Sequence, residues 1–178
     1  GRPMVVPHTA QEPLFGKPGR SGPDRSFFCV PILIGRKSLG AIEVELPFFA
    51  ELAPNSRIVG IAIGGGNLQR CRAFASGLAG VIRSLRTPPL LVISSDMNHF
   101  ASDAENRRLD AMALEAMESC DAEKLFEIVT RHNISMCGVL PTVVMLRAAL
   151  ALGATRGELV AYANSGDVNG DRRQVVGY

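Results

Sequence analysis

Apolar residues in this chain fall either into short unbroken runs or into longer stripes with three- and four-residue steps. Ile58-Val59-Gly60-Ile61-Ala62-Ile63 and Leu90-Leu91-Val92-Ile93 are runs of strand length, the second entered through Pro88-Pro89. Runs of this kind, flanked by breakers, fit strands buried on both faces of an α/β sheet. Between them, Gly64-Gly65-Gly66 leads to Asn67, a good N-cap. Leu68, Cys71, Phe74, Ala75, Leu78, Ile82 and Leu85 then recur at the spacing of an amphipathic helix. Strand, helix and strand in that order predict a parallel pair with a right-handed crossover. Beyond Arg108, Leu109, Met112, Ala113, Ala116 and Met117 form a second helical stripe. Asp121 caps a third helix, whose inner face carries Leu125, Ile128 and Val129. A fourth runs from about Thr142 to Leu152, with Gly153 as its C′ residue. Glu158–Ala163 reads as a further strand, and Val175-Val176-Gly177-Tyr178 as another. The predicted fold class is therefore α/β, a mostly parallel central sheet flanked by helices.

The first part of the chain has no such order. Gly, Pro and Arg recur through residues 1–25, and only Met4–His8 and Phe27–Gly35 suggest short strands. Ala41–Phe49 alternates for part of its length, but Pro47 argues against a central strand; it reads as an interrupted short helix or an extended segment. A chain of 178 residues suits a single domain. Its net charge of +2 is spread over dispersed basic residues, which gives no electrostatic footprint for nucleic acid. No apolar stretch approaches a bilayer span, and no signal-peptide pattern opens the sequence. The four cysteines, Cys29, Cys71, Cys120 and Cys137, form no CxxC pair, and in so long a chain they point to a reducing, cytoplasmic setting.

Candidate chemistry collects where the apolar run Leu90–Ile93 ends. Ser94-Ser95-Asp96-Met97-Asn98-His99-Phe100 places hydroxyls, a carboxylate, an amide and an imidazole together. In open α/β sheets, ligands bind beyond the carboxyl ends of the strands, where Asp96 and His99 would stand. The structural alternative is a helix-capping Asp96 and a His99 packed on the sheet. His8 also follows an apolar run, near the start of the sequence, where a solvated loop residue is the default. His132, at the end of a helix, suits a dipole-complementing structural role. Cys137 lies in a turn leading into a helix, where free N–H groups favour a thiolate; the alternative is a small buried hydrophobe. The triple-glycine turn lacks both GxGxxG and GK[ST], so a tight turn explains it better than a phosphate site. Asn164–Asp171 reads as a turn-rich loop, with Asp167 as a capping or supporting residue.

Five segments, in order, resemble the Memo family, called AmmeMemoRadiSam system protein B in prokaryotes. They are Ile42-Glu43-Val44-Glu45-Leu46-Pro47-Phe48, Ser94–Phe100, Met136-Cys137-Gly138, Tyr162-Ala163-Asn164-Ser165-Gly166-Asp167 and Val175–Tyr178. The resemblance covers residues 41–178, within one Memo-like domain whose residues 1–40 are divergent or incomplete. It implies a fold related to the class III extradiol ring-cleavage dioxygenases and a non-haem metal site, with iron as the cofactor and copper or zinc as alternatives. By the same carry-over Asp96, His99 and Cys137 are metal ligands, and Val6-Pro7-His8-Thr9-Ala10 faintly matches a further histidine segment, making His8 a fourth. His99 and Cys137 are also the implied catalytic residues. The family's second N-terminal histidine segment has no counterpart, and Leu39-Gly40 stand where a glutamate–histidine pair is usual. The expected partners are an unspecified small-molecule substrate and, on the alternative of a non-catalytic scaffold, another protein. Neither nucleic acid nor membrane is expected.

Overall fold

The computed structural model describes residues 51–178 throughout, and before them the backbone of the strands Met4–Val6, Phe27–Cys29, Pro31–Ile34 and Lys37–Ala41. The chain divides into two compact units, Gly1–Gly64 and Gly65–Tyr178. In the first, β1 (Met4–Val6) pairs antiparallel with β2 (Phe27–Cys29), and β3 (Pro31–Ile34) pairs antiparallel with β4 (Lys37–Ala41). The run Phe27–Ile34 is thus two strands with different partners. His8 and Ile42–Phe48 lie outside the described residues.

The second unit is a helical layer with a small sheet at one end. Its α1 (Leu68–Ser84) is capped by Asn67, whose side chain accepts from Arg70 N. α1 buries Cys71, Ala75, Ala79 and Ile82, mostly small residues that let α4 (Val139–Ala151) approach closely. α4 in turn packs on α3 (Ala122–Arg131), and α3 on α2 (Asp103–Glu118). The predicted caps at Asn67 and Asp121 are present, and Gly153 takes the left-handed φ of +104° that closes α4. Two helices start earlier than their apolar stripes suggest. α4 begins at Val139 because Pro141 is tolerated in a first turn, where its missing N–H has no intrahelical acceptor. α2 begins at Asp103, with Ser102 as N-cap. Its inner face opens with Asn106, a polar residue with 0% exposure that an apolar pattern passes over.

The sheet expectation needs correction. Among the described residues every strand pairing is antiparallel, and no mostly parallel central sheet is formed. In the first unit, Ile58–Ile63 is neither helix nor strand, and Val59 and Ile61 are exposed. In the second, Leu90–Ile93 and Glu158–Ala163 are likewise outside any strand, with Leu90 84% and Val160 93% exposed. These runs have the composition of buried strands but not the neighbours, so their backbone has no ladder to join. The sheet that does form in the second unit joins β5 (His99–Ala101) to β6 (Val175–Val176), extended on the far side of β6 by a bridge between Gly177 and Asn164.

Candidate metal centre

The C-terminal segment holds the Ser94–Phe100 loop in place. Met97 N donates to Gly177 O at 2.8 Å and Gly177 N donates to Asn98 O at 3.1 Å, while Tyr178 and Ala163 exchange a pair of backbone bonds on the other side. Beneath this junction lies a buried polar cluster. Asp110, with 0% exposure, accepts from Asn98 N (2.8 Å), Asn106 Nδ2 (3.1 Å) and Tyr162 Oη (2.6 Å). Asn106 Oδ1 accepts from Asn98 Nδ2 at 2.8 Å. Burial raises the Asp110 carboxyl above the ordinary aspartate range, although those donors oppose it. Burial, and next the acceptor Asp110, push the Tyr162 phenol up to about 12.

That shift has a sign that can be checked. Unfolded Tyr162 ionises near 10, and the folded protein holds its proton to about 12. Its stabilising contribution is therefore complete below pH 10 and disappears as the pH rises towards 12. Urea unfolding at a series of pH values should show this alkaline loss in the wild type. Tyr162→Phe should be less stable at pH 8 and should lose the part of the decline due to this phenol.

The same cluster reaches the second loop. Asn98 Oδ1 accepts from both Ser135 N (3.0 Å) and Ser135 Oγ (3.1 Å), and Ser135 Oγ accepts from His99 N at 2.7 Å. One amide thus couples the segment carrying Asp96 and His99 to the turn carrying Cys137. That turn is closed by Gly138, whose N donates to Ser95 Oγ at 2.9 Å. A Cβ on Gly138 would lie 2.5 Å from Ser95 Cβ, so close packing requires glycine at this position. Cys137 Sγ accepts from Asp96 N at 3.1 Å and sits 3.7 Å from Ser95 Oγ.

These constraints bring three of the predicted residues together. One donor atom each from Asp96, His99 and Cys137 lies within 4.8 Å of the others. Asp96 Oδ2 is 3.4 Å from His99 Nε2, and their side chains are 53% and 20% exposed. A tetrahedral ion bound at about 2.0–2.1 Å to nitrogen and oxygen holds such donors about 3.3 Å apart. The carboxylate–imidazole separation already meets that value, and the sulfur needs only a modest approach. Among the described residues three donors converge, which leaves a tetrahedral position for a further ligand. The three side chains thus form a candidate metal-binding group. His8, the fourth expected ligand, lies outside the described residues.

The Tyr162–Asp167 segment ties the C-terminal strand to α2. Asn164 and Asp167 form a capping box on α5 (Ser165–Asn169), and Asp167 takes both oxygens to Arg107 at 2.6 and 2.7 Å. Arg107 Nε also donates to Asp103, which accepts from Asn164 Nδ2 as well. The Asn164 backbone N–H, then Arg107, lower the Asp167 carboxyl below its usual range. Asp167 is thus a capping and clamping residue, one of the roles its sequence suggested. His132 is the C-cap of α3, its backbone N–H donating to Ile128 O. Sequence reasoning missed Ser95, Asn98, Asn106, Asp110 and Ser135 as the groups that fix the geometry. The available signal was the polar face of α2 opposite a polar loop.

The chain thus contains a Cys/His/Asp donor group built on motif segments that meet in space. The family model described as Memo-like protein matches residues 36–178, and the chain belongs to that family. Relatives include MEMO1 family proteins of Methanopyrus kandleri (37% identical over 139 residues), Aquifex aeolicus (39% over 139) and Archaeoglobus fulgidus (37% over 138). Each match covers 78% of this chain and 49%, 51% and 52% of the respective relative. The chain spans about half the length of the curated relatives it matches. No helix among the described residues is long and apolar enough to cross a membrane.

Proposed function

We propose that this chain carries a Memo-family metal site with Asp96, His99 and Cys137 as ligands, in a cytoplasmic protein with dioxygenase-like redox chemistry. The observation that carries the reading is the convergence of one N, one O and one S donor within 4.8 Å, from loops held by buried hydrogen bonds. A mixed donor set with an open position suits iron, and also copper or zinc. Bound there, a redox-active ion would supply a Lewis-acidic centre with room for a small substrate. Asp96 and His99 would hold the ion, and Cys137 would add a soft ligand whose sulfur is oriented by Asp96 N. The fold belongs to the same proposal. The counterparts of the exposed apolar runs Leu90–Ile93 and Glu158–Ala163 would be strands of a mostly parallel, extradiol-dioxygenase-like sheet in the longer family members, of which the matched segment is about half.

The test is metal analysis of protein purified without chelator. Wild type should carry up to about one transition-metal ion per chain, and the Asp96→Ala/His99→Ala variant far less. Equal, near-zero iron, copper and zinc in both, with none taken up on reconstitution, would remove the site. A second reading, a non-catalytic scaffold that keeps the old site as a recognition cleft, draws on the sequence: the family's second N-terminal histidine segment has no counterpart, and Leu39-Gly40 stand in place of the usual glutamate–histidine pair. A specific protein partner retained by Cys137→Ala would favour it, and loss of that partner on metal removal would weaken it.

A further inference from the structure

We propose that Phe100 is the platform on which the metal site receives the aromatic ring of a metal-coordinating ligand; this rests on the metal reading above. Three non-glycine residues have left-handed φ: Phe100 (+61°), Cys120 (+53°) and Asn133 (+52°) among the described residues. Cys120 and Asn133 each follow a helix C-cap, where this conformation closes the helix. Phe100 ends no helix. It lies within a strand, at the register shift between His99 and Ala101, the irregularity that re-aims a side chain. Left-handed backbone is unfavourable for a bulky aromatic residue, and strain of this kind gathers at ligand sites. Burial does not repay it, because Phe100 is 73% exposed. What the bulge achieves is placement. The phenyl centroid is 5.7 Å from that of His99, at an interplanar angle of 42°, so an apolar ring stands beside the imidazole that would hold the ion. A small ligand coordinated at the open position and carrying a flat ring can stack on or edge against that phenyl. An aliphatic ligand with the same coordinating group cannot.

The experiment uses matched probes on the whole chain loaded with Zn(II): benzohydroxamate and acetohydroxamate, which share a metal-binding group and differ in the ring. Calorimetry on wild type, Phe100→Leu and Phe100→Gly gives the affinity ratio of the two probes, and comparing variants cancels their intrinsic difference as chelators. The wild-type ratio should exceed that of either variant by roughly three- to tenfold, the range expected for one aromatic contact. Phe100→Gly should also raise the melting temperature of the metal-free protein, since it relieves the left-handed strain. Higher stability together with a lost ring preference is a pairing that a merely structural Phe100 would not give. An unchanged ratio in both variants, or a lower melting temperature in Phe100→Gly, overturns the proposal. Competition with a chromophoric chelator separates the two levels. Failure of wild type to bind Zn(II) removes the metal reading and this one with it, whereas Zn(II) binding without a Phe100-dependent ring preference overturns this one alone.

Discussion

Gly177→Ala should destabilise the second unit by about 3 kcal/mol or more, the upper end of single-substitution effects. A Cβ at this buried position would collide with Asp110 Oδ2 and lie 2.9 Å from Tyr162 Oη. Neither neighbour can give way cheaply. Asp110 is held by three hydrogen bonds, and Gly177 is fixed through backbone bonds to both Met97 and Asn98. Relief must therefore break the Asp110–Tyr162 bond or lift the C-terminal strand from the loop that carries Asp96 and His99. Either route leaves buried polar groups unpaired. Gly80→Ala is the control. Gly80 lies inside α1, and a Cβ added there would meet nothing within 4 Å, so alanine should stabilise by up to about 1 kcal/mol. Denaturant midpoints of the two variants should move in opposite directions. A wild-type midpoint for Gly177→Ala would contradict the packing described.

Asn98→Ala should cost about 2–4 kcal/mol and also weaken metal binding by at least about tenfold, by leaving several partners unsatisfied at once. Asn98 is 4% exposed, and its amide serves Ser135 N, Ser135 Oγ and Asn106 Oδ1. The first two bonds fix the spacing between the His99 loop and the Cys137 turn. Loss of stability alone would make Asn98 an ordinary core residue. Ser135 separates the two roles, because it is exposed and can be changed with little risk to folding. Ser135→Ala should weaken Zn(II) binding with a small change in stability, and Ser135→Thr, which keeps the hydroxyl, should restore it. Metal affinity unchanged in both Asn98→Ala and Ser135→Ala would refute the coupling.

How far the sequence predicted these features depended on what kind of interaction builds them. Helices driven by apolar stripes and side-chain caps could be read, as at Asn67, Asp121 and Gly153, because those signals are local. The start of α2 could not, since Asn106 and Asp110 turn polar side chains inward and their partners stand in distant segments. The runs Leu90–Ile93 and Glu158–Ala163 carry strand composition, but composition does not supply a neighbouring strand, and pairing is a non-local event. At the site, the residue types of Asp96, His99 and Cys137 were evident from their motifs. Their convergence was not, because it depends on Asn98, Ser135 and Gly138, which look like loop filler in isolation. The need for glycine at 138 and 177 appears only once Ser95 and Asp110 are seen against them.

The central claim, that Asp96, His99 and Cys137 bind one ion together, is tested most directly by titrating the metal-free protein with Co(II) and recording its absorption spectrum. Wild type should saturate at about one equivalent, with visible d–d bands of a low-coordinate ion and a near-ultraviolet sulfur-to-metal charge-transfer band. Cys137→Ser should lose the charge-transfer band, and His99→Ala should bind far more weakly. A wild-type spectrum indistinguishable from Co(II) in buffer, or a Cys137→Ser spectrum identical to wild type, would contradict it.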